Sequence, residues 1–261
     1  VSATDMPGPM NSGPREWDAE TYDAVSDPQF RWGMEVLERL RLRGDETALD
    51  AGCGSGRVTA ELVKRLPEGR LTAVDASEQM VAKAHERLGD GVSYLVADLS
   101  ELEIAEPVEL IFSTATMHWI LDHDRLFRRL RAALVPGGRL VAQCGGEGNV
   151  AEHARVIAEV AAQPEFAVHL DGIAEVWNFA SAEATEQRLK EAGFEPVRCW
   201  LEPRPVQPEH PFEFTSTVTL GPLLTQLPAQ LRRPFAEAIL ERSEQPLVLD
   251  YVRLNIEAVA A

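Results

Sequence analysis

The eight residues Leu49-Asp50-Ala51-Gly52-Cys53-Gly54-Ser55-Gly56 constrain this chain more than any other stretch. They follow a short strand-like run, Thr47-Ala48-Leu49-Asp50, and lead into Val58 to Leu66, which reads as a helix closed by Pro67. A strand that runs through glycines directly into a helix forms a tight turn, whose backbone can approach a ligand with no Cβ in the way. Such turns belong to α/β folds with a parallel sheet, and they lie at the carboxyl ends of the strands, where those sheets bind ligands.

The alternation continues down the chain. Leu71 to Asp75 predicts a second strand, Ser77 an N-cap for a helix through Leu88, Val92 to Ala97 a third strand and Val108 to Phe112 a fourth. A helix over Arg125 to Leu134 should stop at Pro136-Gly137-Gly138, with Arg139 to Gln143 as the fifth strand. Ahead of them, Phe30, Met34, Leu37 and Leu40 recur at helical spacing after Asp27-Pro28. Beyond Gly148, Ala151 to Ala162 and Ala182 to Ala192 read as helices and Phe194 to Leu201 as a strand. Pro211 to Arg242 looks mostly helical, and Phe212, Phe214, Leu220, Leu223 and Leu224 could give it an apolar inner face. Val252, Leu254, Ile256 and Ala258 then alternate with Arg253, Asn255 and Glu257, the pattern of a half-buried strand. The expectation is an α/β, doubly wound sheet with a helical cap inserted over residues 209–243.

Composition narrows the partners. The formal net charge is −17 and no dense Lys/Arg cluster is present, so the chain is poorly suited to a phosphate backbone or an anionic membrane. Arg39, Arg41 and Arg43, like Arg128, Arg129 and Arg131, read as solvated helix faces. Cys53, Cys144 and Cys199 are widely spaced and form no CxxC pair, which suits a reducing cytoplasm and argues against a structural zinc site or disulfide framework. The six histidines are scattered without metal-ligand spacing, so no metal is expected. No segment nears the ~18 apolar residues that a bilayer span needs. The opening VSATDMPGPMNSGPRE lacks the pattern of a signal peptide and reads as a flexible tail over residues 1–16.

Carboxylates complete the pattern at the strand ends. Asp50 stands beside the glycines, Asp75 ends the second strand where it could clasp a ribose diol, and Asp98 follows the third in Ala97-Asp98-Leu99. A dinucleotide site also uses glycines and an acid at ribose distance, but its fingerprint is GxGxxG, and this turn reads GxGxG followed by Arg57. An anion beside a pyrophosphate opposes binding, whereas beside a sulfonium or an amino-acid ammonium it assists. The turn therefore favours S-adenosylmethionine over a nicotinamide dinucleotide.

On these motifs the chain resembles the class I S-adenosylmethionine-dependent methyltransferases, from about Trp17 to its last residue. That resemblance implies a Rossmann-like, seven-stranded sheet with the last strand antiparallel, one methyltransferase domain over residues 17–261, and an N-terminal helical cover over 17–43. It implies that Asp50, Gly52 and Gly54 lie along the methionine part of the cofactor. Asp75 would hold the ribose hydroxyls, Ala76 would pack on the adenine and Asp98 would accept from its exocyclic amine. Cys53, Leu99 and Ser113 would complete the surroundings of the cofactor.

Within that superfamily the chain most resembles the small-molecule carboxyl methyltransferases of the trans-aconitate and juvenile-hormone-acid types. The matching residues are Trp17-Asp18-Ala19-Glu20-Thr21-Tyr22, Ser26 and Gln29 before the first strand, and Met117-His118-Trp119-Ile120 after the fourth. The resemblance implies an N-terminal helix closing over the cofactor, Tyr22 near its carboxylate, and Gln29 and Trp119 facing a small-molecule acceptor. A carboxylate acceptor carries no proton to lose and needs only donors, which Gln29, His118 or Trp119 could supply. A hydroxyl or phenol would need His118 as a base. A protein that binds the cofactor without catalysis remains a third possibility. His123, followed by Asp124 ahead of a helix, reads as a surface residue, and Arg31, Arg198 and Arg204 are available to a polyacidic acceptor.

Overall fold

The computed structural model describes residues 27–170 and 177–261. The expected tail over 1–16, Tyr22, Ser26 and the first part of the N-terminal cover lie outside the described residues.

Helix α1 (Asp27–Arg39) precedes strand β1 (Thr47–Ala51), and the alternation continues through α2 (Arg57–Lys64), β2 (Arg70–Asp75), α3 (Glu78–Leu88), β3 (Ser93–Val96) and β4 (Val108–Thr114). Then come α4 (His123–Ala132), β5 (Leu134–Gly145), α5 (Ala151–Ala161), α6 (Ala182–Glu191), β6 (Phe194–Pro203), α7 (Ala229–Arg242) and β7 (Val252–Ala260). The sheet has seven strands in the order β3-β2-β1-β4-β5-β7-β6. Strands β1 to β5 pair in parallel, and β7 runs antiparallel to both β5 and β6. The reversal of order at β1 and β4 opens a crevice at the carboxyl edge, where such sheets take their ligands.

The core fills both faces of the sheet. Leu49, Ile111 and Met117 pack with Leu126, Phe127 and Leu130 of α4 on one face, while Ala48, Leu110 and Phe112 meet Val36 and Leu37 of α1 and Leu62 of α2 on the other. This two-sided burial explains why the central strands read as continuous apolar runs.

Two expectations need correction. The Pro136-Gly137-Gly138 run does not separate a helix from a strand beginning at Arg139. The strand already pairs at Leu134 with Val108, and the pairing resumes at Arg139 with Leu110, so the run is absorbed as a register shift. Strand β7 is not half-buried: Arg253 and Asn255 are as covered as Leu254 and Ile256. Helix α1 covers that face, and Arg39 Nη1 donates to Asn255 Oδ1 at 2.7 Å, so Arg39 is part of the packing and not a solvated face.

The insertion between β6 and β7 is helical as expected, with short helices at Pro211–Phe214 and Gly221–Gln226 around a π-helical turn, Thr215–Thr219, followed by α7. Leu220, Leu223 and Phe235 of this cap pack against Val156, Ile157 and Val160 of α5.

Candidate active site

Three turns converge at the carboxyl edge of the sheet around a cavity of about 260 Å³. The first is the glycine turn. Gly52 adopts φ 88°, and a Cβ there would lie 2.1 Å from Thr116 Oγ1, so glycine is required by the packing of the protein itself. At Gly54, φ is 53° and a Cβ would meet no protein atom within 4 Å. Gly54 lines the cavity, so the space that its missing Cβ leaves is space for a ligand.

The carboxylates are held ready by the backbone. Asp75 Oδ2 accepts from Gly54 N–H and Oδ1 from Ser77 N–H, each at 3.0 Å. Those two bonds fix the carboxylate plane, and an ionised carboxylate has further acceptor sites for a diol. Asp98 Oδ1 accepts from Ser100 N–H at 2.8 Å, capping a short helical turn, while the residue stands exposed at the cavity mouth. Asp50 is buried, with Oδ2 accepting from the Thr59 hydroxyl at 2.7 Å. Burial pushes its carboxyl up to about 7; the Thr59 bond opposes that shift and the nearby Asp75 charge adds to it.

The second turn follows β4. Ala115, at φ 57°, redirects the chain into the helical turn Met117–Trp119. Thr116 Oγ1 donates toward Gly52 O at 3.2 Å, tying this turn to the glycines. His118 is buried, and its Nδ1 accepts from Gly145 N–H at 3.3 Å. A backbone N–H can only donate, so Nδ1 carries no proton and the neutral ring is protonated at Nε2. The ring stacks on Phe179 with centroids 5.7 Å apart, and Phe179 in turn stacks on Trp177 at 5.8 Å. Asn178 N–H donates to His118 O at 2.9 Å, which pins this aromatic pair to the turn.

His123 corrects a sequence expectation. It is 3 % exposed, and its Nε2 bonds the Met117 carbonyl oxygen at 3.1 Å. It supports the Met117–Trp119 turn from beneath, and burial holds its pKa below the ordinary histidine value.

The third contribution comes from the segments that follow β5 in the chain. Val218 and Thr219 of the cap, Asn149 and Val150 ahead of α5, and Tyr251 and Arg253 at the start of β7 line the cavity with Trp119, Trp177 and Phe179. The apolar cap residues singled out in the sequence, Phe214, Leu220 and Leu223 among them, pack inside the protein, and among the described residues of the cap only the π-helical turn between them reaches the cavity wall.

The structure brings together Gln29, Asp50, Gly52, Cys53, Gly54, Asp75, Ala76, Asp98, Leu99, His118 and Trp119 around this one cavity. Gln29 Oε1 is buried there with no hydrogen-bond partner among the described residues. Ser113 does not belong with them: its hydroxyl donates to Ala51 O at 2.6 Å beneath the glycine turn, a joint between β4 and β1. Arg31, Arg198 and Arg204 do not line the cavity either. Arg198 lies over Trp200, and Arg204 pairs with Glu35 and Glu202. The arginine that reasoning from sequence missed is Arg253. Its signal was in the chain, because the first residues of an antiparallel strand share the sheet edge on which the parallel strands end.

Comparison with known proteins bears on the family and the fold. Residues 48–138 match the family model described as a methyltransferase domain. A trans-aconitate 2-methyltransferase of Methylobacterium nodulans is 34% identical over 186 residues, covering 71% of this chain and 67% of that protein. The trans-aconitate 2-methyltransferase of Acidovorax sp. strain JS42 is 30% identical over 241 residues, covering 87% and 88% of the two chains. Among solved structures, phosphoethanolamine N-methyltransferase 2 of Haemonchus contortus superposes with a TM-score of 0.60 at 19% identity, over 93% of this chain and 56% of that one. The YcgJ protein of Bacillus subtilis gives 0.61 at 16% identity, over 87% and 97%. At these identities the two structures establish the fold alone.

Proposed function

Because this chain belongs to the class I S-adenosylmethionine-dependent methyltransferases of the trans-aconitate group, we propose that it methylates a carboxylate oxygen of a small organic acid. The observation that carries this reading is the hydrogen bond from Gly145 N–H to His118 Nδ1. With Nδ1 accepting from Gly145 N–H, the ring offers a proton at Nε2 and has no lone pair there to act as a base. Such a ring can orient an acceptor that is already anionic and cannot deprotonate a hydroxyl through Nε2. The buried Gln29 amide, exchangeable in orientation, can turn its NH₂ toward the same anion.

The residues of the cavity fit the cofactor. Gly52 and Gly54 leave room along the glycine turn, and Asp75, fixed by two backbone donors, would hold the ribose hydroxyls. Ala76, with Leu99, would pack on the adenine, and Asp98 would accept its amine on the oxygen not engaged by Ser100. Asp50, and Tyr22 outside the described residues, would face the methionine moiety. S-adenosylmethionine, when bound, supplies an electrophilic methyl group on a cationic sulfur. The protein contributes orientation and exclusion of water, the terms that dominate a displacement of this kind. The aromatic wall of Trp119, Trp177 and Phe179, closed by Val218 of the cap, favours an acid with apolar bulk over a bare polyanion. The cap residues 209–243 act as the cover on the acceptor side.

No helix among the described residues is long and apolar enough to cross a membrane. We place the protein in the cytoplasm on its unpaired, widely spaced cysteines. The test is transfer of a labelled methyl group to a panel of acids and phenols, followed by mild alkali. A base-labile product is expected. A product that survives alkali overturns the carboxylate reading.

A further inference from the structure

Arg253 is a charged side chain, 2 % exposed, on a stretch of cavity wall whose other described residues are uncharged: Asn149, Val150, Val218, Thr219 and Tyr251 with the aromatic wall. Its place follows from the strand register. Arg253 stands opposite Gly145 in the antiparallel pair of β7 with β5, and opposite residues of such a pair project to the same face. Gly145 has no side chain to send there. A Cβ on it would lie 2.7 Å from Phe179 Cε1, so the glycine makes room for the aromatic wall. The backbone N–H of that same glycine holds His118 Nδ1. One residue thus joins the imidazole, the aromatic wall and the guanidinium.

The guanidinium is also held from the opposite side, with its carbon 4.7 Å from the centroid of the Trp32 ring on α1. A planar cation laid on an aromatic face keeps its N–H edge in a fixed plane, and that edge matches a carboxylate through two parallel hydrogen bonds. Arg253 is far from the cofactor half of the cavity, because β7 is three interstrand steps from β1, roughly 14 Å.

We propose that Arg253 is the acceptor-selecting residue: its guanidinium binds a carboxylate of the acceptor beside His118 Nε2–H and admits acids in preference to their neutral analogues. This deepens the carboxylate reading above and rests on it. Arg253 acts here as a binding and specificity residue, and moves no proton.

The experiment measures binding, so it does not depend on turnover. The protein, saturated with S-adenosylhomocysteine, is titrated calorimetrically with trans-cinnamate, trans-aconitate and the corresponding carboxamides. The expected result is that at least one acid binds about tenfold or more tightly than its amide, as a charge-assisted bidentate pair provides. In Arg253→Met that preference falls to about twofold or less while affinity for S-adenosylhomocysteine holds. Arg253→Lys, which keeps the charge but loses the fork, weakens the acid severalfold and leaves the amide unchanged; it decides the question where the Met variant does not fold. A Met variant that keeps the acid preference overturns the proposal. So does a Lys variant that weakens acid and amide alike, or a loss of S-adenosylhomocysteine affinity equal to the loss of acid. A base-stable methylated product alongside intact acid selectivity would instead sink the carboxylate-transfer reading and leave Arg253 as an anion site.

Discussion

The backbone N–H of Gly145 donates to Nδ1 of His118 across 3.3 Å, which fixes the proton of the neutral imidazole on Nε2 of a ring that lines the cavity. A donor that never gives up its proton has a recognisable kinetic signature. We expect kcat/KM for an acid acceptor to show no rise assignable to His118 between about pH 5 and 8, the window in which an imidazole base gains its lone pair. His118→Gln, which keeps an N–H donor, should retain more activity than His118→Ala, whose loss should be about 10–100-fold and mostly in KM. A slope of one in the pH profile, with Gln as inactive as Ala, would show that the ring is a base after all.

The two glycines should fail differently. Gly52→Ala drives a Cβ into the Thr116 side chain, so the variant should melt at a clearly lower temperature and lose cofactor binding with it. Gly54→Ala meets no protein atom, and its φ of 53° costs only about 1 kcal/mol in a non-glycine residue. It should fold nearly as well as the parent and still bind S-adenosylhomocysteine more than about tenfold more weakly. Thermal melting with and without ligand separates the two.

Asp50 couples cofactor binding to pH. Burial raises its carboxyl to about 7 in the free protein, well above the ~3.9 of an unfolded chain. A raised carboxyl contributes stability below the unfolded pKa and loses it as pH rises through the folded one. The free protein should therefore lose stability from this group between about pH 4 and 7, and Asp50→Asn should melt higher than the parent at pH 8. Cofactor binding runs the other way: the ionised carboxylate attracts the cationic methionine moiety, so affinity should rise from pH 6 to 8, and Asn should flatten that rise. Calorimetry at the two pH values checks the sign.

His123 is a structural support with a catalytic consequence. His123→Phe keeps an aromatic ring but removes the bond to the Met117 carbonyl, leaving a buried acceptor unsatisfied. Urea denaturation should show a loss of about 1–3 kcal/mol. Turnover should fall with little change in S-adenosylhomocysteine affinity, because the turn that carries His118 and Trp119 loosens while the glycine turn stays intact.

The cofactor half was legible because local rules agree there: the glycines, the acid at each strand end and the two-sided burial of parallel strands all appear within short windows of sequence. Asp75 and Asp98 accordingly stand on the cavity where the pattern put them, and Ala76 and Leu99, carried over by resemblance, line it too. On the proposed acceptor side Gln29, His118 and Trp119 were named from the sequence and line the cavity, while the rest of that wall was not legible because its residues converge from distant segments. Trp177 and Phe179 reach the wall only because Asn178 hydrogen-bonds back to the turn after β4. Arg253 was hidden by alternation: in a strand covered on both faces, a charged residue at every second position looks solvent-facing until the covering helix α1 is known. His123 misled for the same reason, since a helix-start histidine is read as exposed when the carbonyl above it cannot be seen. Ser113 was carried over by resemblance onto a position whose hydroxyl faces backbone instead of the cavity.

The cap leaves the sheet after β6 and returns into β7, and its two roots are stitched together. Arg204 N–H donates to Tyr251 O at 2.7 Å, and Val206 and Leu249 exchange bonds at 2.9 and 2.8 Å. The excursion is therefore a closed purse whose drawstring lies in the sheet, so its contents can change in length or sequence at little entropic cost to the frame. Rewriting the residues between Val206 and Leu249 can therefore reshape the stretch of cavity wall that Val218 and Thr219 form, while the glycine turn, the aromatic wall and Arg253 stay with the frame. A transplant cut at those two residues is the natural seam for exchanging that cover between relatives of this fold.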